Sequence, residues 1–95
     1  MATFTDIISS HPKVLVDFHA TWCGPCKTLA PILSQVKTEL GDDLKLIKID
    51  IDKNQALASK LNVRSVPTML FFEDGKQKWR QSGVIPAQEI LNKVR

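Results

Sequence analysis

The sequence has only two cysteines among its 95 residues, Cys23 and Cys26. It has no apolar run close to the roughly 18 residues that a membrane-spanning helix needs. Its first residues lack the basic and apolar segments of a secretion signal. These absences predict a cytoplasmic chain without a membrane segment, in a compartment where a structural disulfide is rare. Two close cysteines are then more typical of a catalytic or metal-binding pair.

The sequence also lacks any block of like charge. Its 13 basic and 10 acidic residues are spread along the chain and give a net charge of +3. Because a nucleic-acid-binding domain concentrates its basic residues in a patch or stripe, this distribution disfavours nucleic acid as a partner. The length and the hydrophobic content of 43% predict a single globular domain over residues 1–95.

The hydrophobic pattern predicts alternating helices and strands. Nearly continuous apolar sequence over Val14–Ala20 is typical of a central strand covered on both faces. Apolar residues at helical spacing predict a long helix over Cys23–Leu40, kinked at Pro31 and ended by Gly41. The other predicted helices are at about residues 4–10, 54–61 and from Pro86 onward, and Thr3 and Asp6 should form a capping box at the start of the first. The other predicted strands are at 44–52, 68–72 and 77–83, with a tight turn at Asp74-Gly75.

The order of these elements predicts the fold class. A strand, a helix and a further strand indicate a parallel crossover, which is right-handed in almost all proteins. The last two strands are joined by a tight turn and should pair antiparallel. The sequence therefore predicts an α/β fold with a mixed central sheet of about four strands, flanked by about four helices.

The two cysteines lie where a predicted strand ends and a helix begins. The first turn of a helix presents unpaired N–H groups and the positive end of the helix dipole, so a thiolate at Cys23 should be stabilised and its pKa should fall below the free value of about 8.5. Cys26 lies three residues further on the same face, roughly 5–6 Å away, within reach of a reversible disulfide. Between them, Pro25 suits the first helical turn and Gly24 lets a partner backbone come close.

The segment Trp22-Cys23-Gly24-Pro25-Cys26-Lys27, preceded by Val16-Asp17-Phe18, resembles the active-site signature of the thioredoxin family. The resemblance covers the chain from about residue 4 to its end. It implies a thioredoxin-like fold and a thiol–disulfide oxidoreductase, with Cys23 as nucleophile and Cys26 as resolving thiol. Members usually begin with a further edge strand, which this chain is expected to lack. The strand at 44–52 would then be an edge that could pair with a second copy, although a monomer is favoured.

The resemblance also gives roles to two charged residues. Asp17 is a carboxylate in an apolar strand, where burial should raise its pKa. It corresponds to the buried aspartate of the family, which assists proton transfer at Cys26, and Lys48 corresponds to the buried lysine near that aspartate. The alternatives are a hydrogen-bonded structural aspartate and a lysine that extends along the surface.

Four further positions correspond to the family's substrate groove. Val66-Pro67 should form a cis peptide bond packed against the cysteines, with the Val66 backbone available to an extended substrate strand. Trp22 and Gly83 correspond to the rim of this groove, beside Gly24 and Pro25. The alternatives are a trans proline at a strand start and a tryptophan that caps the apolar end of a strand.

His19 departs from the family pattern, because most members have tryptophan there. Histidine titrates near neutral pH, so its imidazole could help to stabilise the Cys23 thiolate, or it could be a partly exposed filler. In the third strand, Met69 and Phe71 or Phe72 are expected in the core, and Trp79 is expected to pack against the sheet.

The leading interpretation is a reductase of protein disulfides. It implies no bound metal or organic cofactor, and electrons delivered from NADPH by a thioredoxin reductase. One alternative is an oxidant or isomerase of the same superfamily, against which the Gly-Pro dipeptide argues. A second is a non-catalytic binding partner with the same fold. A third is a structural zinc site, for which Cys23, Cys26, His11 and His19 would be the available Cys and His ligands.

Overall fold

A computed structural model describes residues 3–95 of the chain. The helices are α1 (Phe4–Ile8), α2 (Gly24–Leu40), α3 (Gln55–Lys60) and α4 (Ala87–Val94), and the strands are β1 (Lys13–His19), β2 (Lys45–Asp50), β3 (Thr68–Glu73) and β4 (Lys76–Ser82). Every predicted element is present, and none of its ends moves by more than two residues. Within the described range, no helix is both long and apolar enough to cross a membrane.

The four strands form one mixed sheet in the order β2-β1-β3-β4. β1 pairs parallel with β2 and antiparallel with β3, and β3 pairs antiparallel with β4. The predicted parallel crossover and the predicted hairpin are therefore both confirmed. Among residues 3–95, β2 lies at one edge of this sheet and β4 at the other. β1 lies in the middle, so its carboxyl end meets the helix layers on both sides.

Helix α2 is held to the sheet by one apolar face. Leu29, Leu33 and Val36 recur at helical spacing and are fully buried, which is the pattern of an amphipathic helix. The helix continues through Pro31 and ends at Gly41, where a φ of +54° suits glycine. This anchoring fixes the position of the amino-terminal end of α2, where the cysteines lie.

The sheet separates two apolar clusters. The cluster on the side of α2 and α4 consists of Leu15, Leu29, Leu33, Val36, Leu44, Met69, Phe71, Ile90, Leu91 and Val94, with Trp79 packed against it. The cluster on the side of α1 and α3 consists of Ile8, Val14, Val16, Phe18, Ile49, Ala58, Val63, Leu70 and Phe72. The expected core positions in β3 and the expected packing of Trp79 are confirmed. Alternate residues of β1 thus point to opposite layers.

Two local turns follow from the sequence as predicted. Thr3 Oγ1 accepts the backbone N–H of Asp6, and the Asp6 carboxylate accepts the N–H of Thr3, which together make the capping box of α1. Between β3 and β4, Asp74 and Gly75 both have positive φ, +53° and +81°. Two such residues in succession give the turn that matches the twist of an antiparallel hairpin.

Candidate active site

Cys23 is the N-cap of α2. Its backbone is extended, and its Sγ accepts the N–H of Cys26 at 3.1 Å, in the position of a capping side chain. The sequence predicted Cys23 as the first helical residue; in the structure the helix begins one residue later, at Gly24. The N–H of Cys26, in the first turn of α2, therefore points towards the Cys23 sulfur, which favours its thiolate form when the pair is reduced.

The two cysteines form a disulfide bond. Their Cα atoms are 5.3 Å apart, inside the usual range of about 4.4–6.8 Å for bonded pairs. Both residues are largely covered, with 3% of Cys23 and 8% of Cys26 exposed. Gly24 and Pro25 between them are exposed. Apart from the adjoining residues and backbone of the helix, no atom lies within 4 Å of the point where a Cβ on Gly24 would sit. A partner can therefore approach the disulfide over this turn.

The loop before β3 lies against Cys23. The Val66-Pro67 peptide bond is cis, as expected, and the carbonyl oxygen of Val66 is 3.5 Å from Cys23 Sγ. The carbonyl of Pro67 accepts the backbone N–H of Gly83 at 2.9 Å. Cys23, Val66 and Gly83 are distant in sequence, and the fold brings them to one surface.

Trp22 stands out from this surface. Its side chain is 67% exposed, and its indole Nε1–H donates to Asp52 Oδ2 at 2.8 Å. This exposure excludes the alternative in which Trp22 caps an apolar strand end. Asp52 was assigned only to the second predicted strand; it follows β2 and fixes the orientation of the indole. The only feature of the sequence that could have indicated this role of Asp52 is that an acidic residue lies close to the end of a strand.

Asp17 is buried in β1, the strand that precedes the cysteines. Only 4% of its surface is exposed, and its Oδ1 has no hydrogen-bond partner within residues 3–95. Burial raises the pKa of Asp17, and the charges of His19 and Lys48 oppose that rise. The predicted direction is confirmed, and the alternative of a fully hydrogen-bonded structural carboxylate is not supported.

A small cavity is lined by both Asp17 and Cys26. Its volume is about 290 Å³, and it is lined by Asp17, His19, Ala20, Thr21, Cys26, Lys27, Ala30 and Lys48. Elements β1, α2 and β2 each contribute side chains. The cavity connects a buried carboxylate, a buried cysteine and two exposed lysines. When the disulfide is reduced, this arrangement can move a proton between the Cys26 thiol and water.

Comparison with known proteins agrees with this geometry. The thioredoxin family model matches residues 1–95. The chain belongs to the thioredoxin family. It is 47% identical over 88 residues to thioredoxin of Bacillus subtilis, covering 90% of this chain and 85% of that protein. It is 37% identical over 94 residues to chloroplastic thioredoxin Y of Oryza sativa, covering 98% of this chain and 56% of that protein.

Solved thioredoxins share the fold as well. The oxidized form of mitochondrial thioredoxin 3 from Saccharomyces cerevisiae superimposes with a TM-score of 0.86 and 30% identity, over 95% of this chain and 84% of that one. Family membership and a cysteine pair at disulfide distance make this chain a thiol–disulfide oxidoreductase of the protein-disulfide-reductase type. The predicted mixed sheet and flanking helices are those of a thioredoxin.

Lys48 is not buried as the thioredoxin pattern implied. Its Cα lies beside that of Asp17 in the β1–β2 register, but the side chain is exposed. The reason is its position on β2, which has no neighbour on its outer side within residues 3–95. Lys48 therefore lies between the cavity and solvent.

His19, the residue that departs from the thioredoxin pattern, is half-buried at the end of β1. It lines the cavity that contains Asp17 and Cys26. The expected support of the Cys23 thiolate stays a prediction, because Cys26 and not Cys23 lines this cavity with His19. Among residues 3–95, no three His, Cys, Asp or Glu side chains are grouped to hold a metal ion.

Proposed function

We propose that this thioredoxin-family chain reduces disulfide bonds of other proteins in the cytoplasm, as a monomer and without a bound cofactor. One observation carries the proposal: the Cys23 sulfur occupies the N-cap of α2, 3.5 Å from the Val66 carbonyl. The helix end supplies a nucleophilic thiolate near neutral pH. The adjacent backbone supplies an edge on which an extended substrate segment can pair.

The first step is attack on the substrate. In the reduced protein, the Cys23 thiolate attacks one sulfur of the substrate disulfide, so that a Cys23–substrate S–S bond forms and the substrate S–S bond breaks. The electron pair leaves on the other substrate sulfur, which takes a proton from solvent. The groove that holds the substrate strand during this exchange is formed by Trp22, Gly24, Pro25, Val66, Pro67 and Gly83.

The second step releases the substrate. The Asp17 carboxylate takes the proton of Cys26, and the resulting thiolate attacks Cys23 Sγ, forming the Cys23–Cys26 bond and breaking the mixed disulfide. The electron pair leaves on the second substrate sulfur, which is protonated in turn. A carboxylate with a raised pKa is a stronger base than an exposed one, and Asp17 is buried in the cavity that Cys26 lines. Lys48 lies where that proton can pass to water.

Each turnover leaves the cysteine pair oxidised by two electrons, so a reductant must restore it. We expect the electrons to come from NADPH through a thioredoxin reductase, as in other members of the family. The reductase and the disulfide-containing protein substrates are the proposed partners, and neither nucleic acid nor a membrane is among them. The reductase would attack the disulfide over the exposed turn at Gly24 and Pro25.

Trapping the mixed disulfide tests the order of the two cysteines. Cys26→Ser should still attack a disulfide-containing protein such as insulin, but it cannot resolve the complex. A covalent 1:1 adduct should then accumulate on non-reducing gels and disappear with excess dithiothreitol. Cys23→Ser is the matched control and should form no adduct. An adduct with Cys23→Ser and none with Cys26→Ser would reverse the assigned roles.

A redox titration tests the direction of the reaction. The Cys23–Cys26 pair is equilibrated with a thiol buffer of known potential, and its state is followed by Trp22 fluorescence. The references are about −270 mV for thioredoxin, −180 mV for protein disulfide isomerase and −120 mV for a strong oxidant. A midpoint close to the first value is expected for a reductase. A midpoint close to either of the others would favour the oxidant or isomerase alternative.

A further inference from the structure

Charged residues alternate where β1 and β2 lie side by side. In their parallel register, Asp17 is paired with Lys48, and His19 is paired with Asp50. Residues two apart on a strand point to the same face, about 6.6 Å apart along the chain. Asp17 and His19 therefore share one face of the central strand, and their neighbours on β2 share that face with them.

The charges that surround His19 differ in how far they are exposed to water. From β2, Lys48 is exposed, and the Asp50 carboxylate already accepts the backbone N–H of Asp52 at 2.8 Å. From α2, Lys27 is exposed, and Cys26 is buried and bonded to Cys23.

Along β1 itself, His19 has the carboxylate of Asp17 as its nearest charged neighbour in sequence. Asp17 is the one buried carboxylate among the residues that line this cavity, and its Oδ1 has no partner within residues 3–95. Its interaction with a half-buried imidazolium is therefore screened less than its interaction with an exposed lysine.

Besides being less screened, the imidazole differs from a lysine in the pH range over which its charge changes. A lysine keeps its charge throughout the neutral range, but an imidazole gains or loses its charge there. A positive charge beside a carboxylate stabilises the anion and weakens it as a base, and the loss of that charge strengthens it. In a chain with tryptophan at this position, the carboxylate would not have this neighbour.

We propose that His19 is a positioning residue of the resolving step, and that its charge sets how readily the Asp17 carboxylate accepts the proton of Cys26. This moves the role of His19 from Cys23, where the sequence suggested it, to the cavity that Asp17 and Cys26 line. The kinetic part of the inference rests on the proposed role of Asp17 as the base.

The coupling can be measured without catalysis in the oxidised protein, where the cysteines do not titrate. The Asp17 side-chain carboxyl is followed by ¹³C NMR as a function of pH in the wild type and in His19→Gln, His19→Trp and His19→Lys. Loss of the imidazole in the first two variants should move the Asp17 midpoint upward by about 0.5–1 pH unit. His19→Lys retains a positive charge and should keep the midpoint at or below its wild-type position.

The second histidine supplies the matched control. His11 lies before β1, where its Nδ1 accepts the N–H of Lys13 at 3.1 Å and its Nε2 contacts the carbonyl oxygen of Asp42 at 2.7 Å. His11→Gln also removes one imidazole and should leave the Asp17 midpoint in place. A purely structural role of His19 would change thermal stability but not this midpoint. An unmoved midpoint in His19→Gln, or an equal shift in His11→Gln, would overturn the inference.

A single-turnover measurement then connects the coupling to the reaction. Release of the second substrate thiol is followed against pH, and the profile of His19→Gln should move upward by the same amount as the Asp17 midpoint. If the midpoint moves and the rate profile does not, Asp17 is not the base of the resolving step, and the role of His19 in that step fails with it. If neither moves, the assignment of His19 alone is wrong.

Discussion

Burial of the Asp17 carboxylate should destabilise the protein at neutral and alkaline pH, and Asp17→Asn should remove that cost. Burial holds the pKa of Asp17 in the folded state above the unfolded value of about 3.9. Below the unfolded value both states are protonated and burial of charge costs nothing. As pH rises, the unfolded state ionises first, so the free energy of unfolding falls until pH passes the folded pKa. Asparagine does not ionise, so the free energy of unfolding of the variant should not fall in this way.

The structure sets the size of the effect. A buried polar group without a partner costs about 1–3 kcal/mol, and more when it is charged; Asp17 is 4% exposed and its Oδ1 is unpartnered within residues 3–95. At pH 8, oxidised Asp17→Asn should therefore be more stable than the wild type by about 1–3 kcal/mol. For a domain of about 60–100 residues, each kcal/mol corresponds to roughly 4–8 °C in Tm.

Urea unfolding of both oxidised proteins at pH 8 and pH 3, followed by circular dichroism, measures the difference. The gain should be present at pH 8 and absent at pH 3, where the wild-type carboxyl is protonated in both states. Asp43→Asn removes an exposed carboxylate and should show no comparable gain. An equal gain at both pH values, or a less stable variant at pH 8, would refute the argument from buried charge.

Two further substitutions test the core and the substrate surface. Leu33→Ala truncates a fully buried side chain of α2 and should lower the free energy of unfolding, measured in urea, by about 2–5 kcal/mol. Ser34→Ala lies on the exposed side of the same helix and should change that free energy little. Equal losses in the two variants would contradict the assigned helix face. Asp52→Ala removes the acceptor of the Trp22 indole and should raise KM for a protein disulfide by about fivefold, equivalent to roughly 1 kcal/mol, with kcat nearly unchanged. Asp43→Ala is its control, and a loss confined to kcat would show that this hydrogen bond does not serve substrate binding.

The sequence predicted the elements around the cysteines well because their patterns are strong. Helix α2 has a long apolar stripe and a glycine at its end, and β1 is almost wholly apolar, so each pattern admits few other structures. The first helix was predicted two residues too long. Ser9 is already its C-cap, because the approach to Pro12 leaves no room for another turn.

The contacts between distant segments could not be read from the sequence. The hydrogen bond from Trp22 to Asp52 joins residues 30 positions apart, and it depends on how two loops meet beyond the ends of β1 and β2. The alternation in β2 indicated which residues share a face with Lys48. It did not show that the side chain would lie open to solvent, since exposure depends on what covers the strand.

A sulfur that caps a helix is favoured as an anion both when it attacks and when it departs. The Cys23 thiolate should therefore leave a mixed disulfide as easily as it forms one, because a stabilised thiolate is also a good leaving group. In each encounter, the released substrate thiol and Cys26 compete to attack the mixed disulfide. Cys26 has a high effective concentration in this competition, because it lies three residues from Cys23 in the same chain. The yield of electrons per encounter then depends less on Cys23 than on the time Cys26 needs to lose its proton.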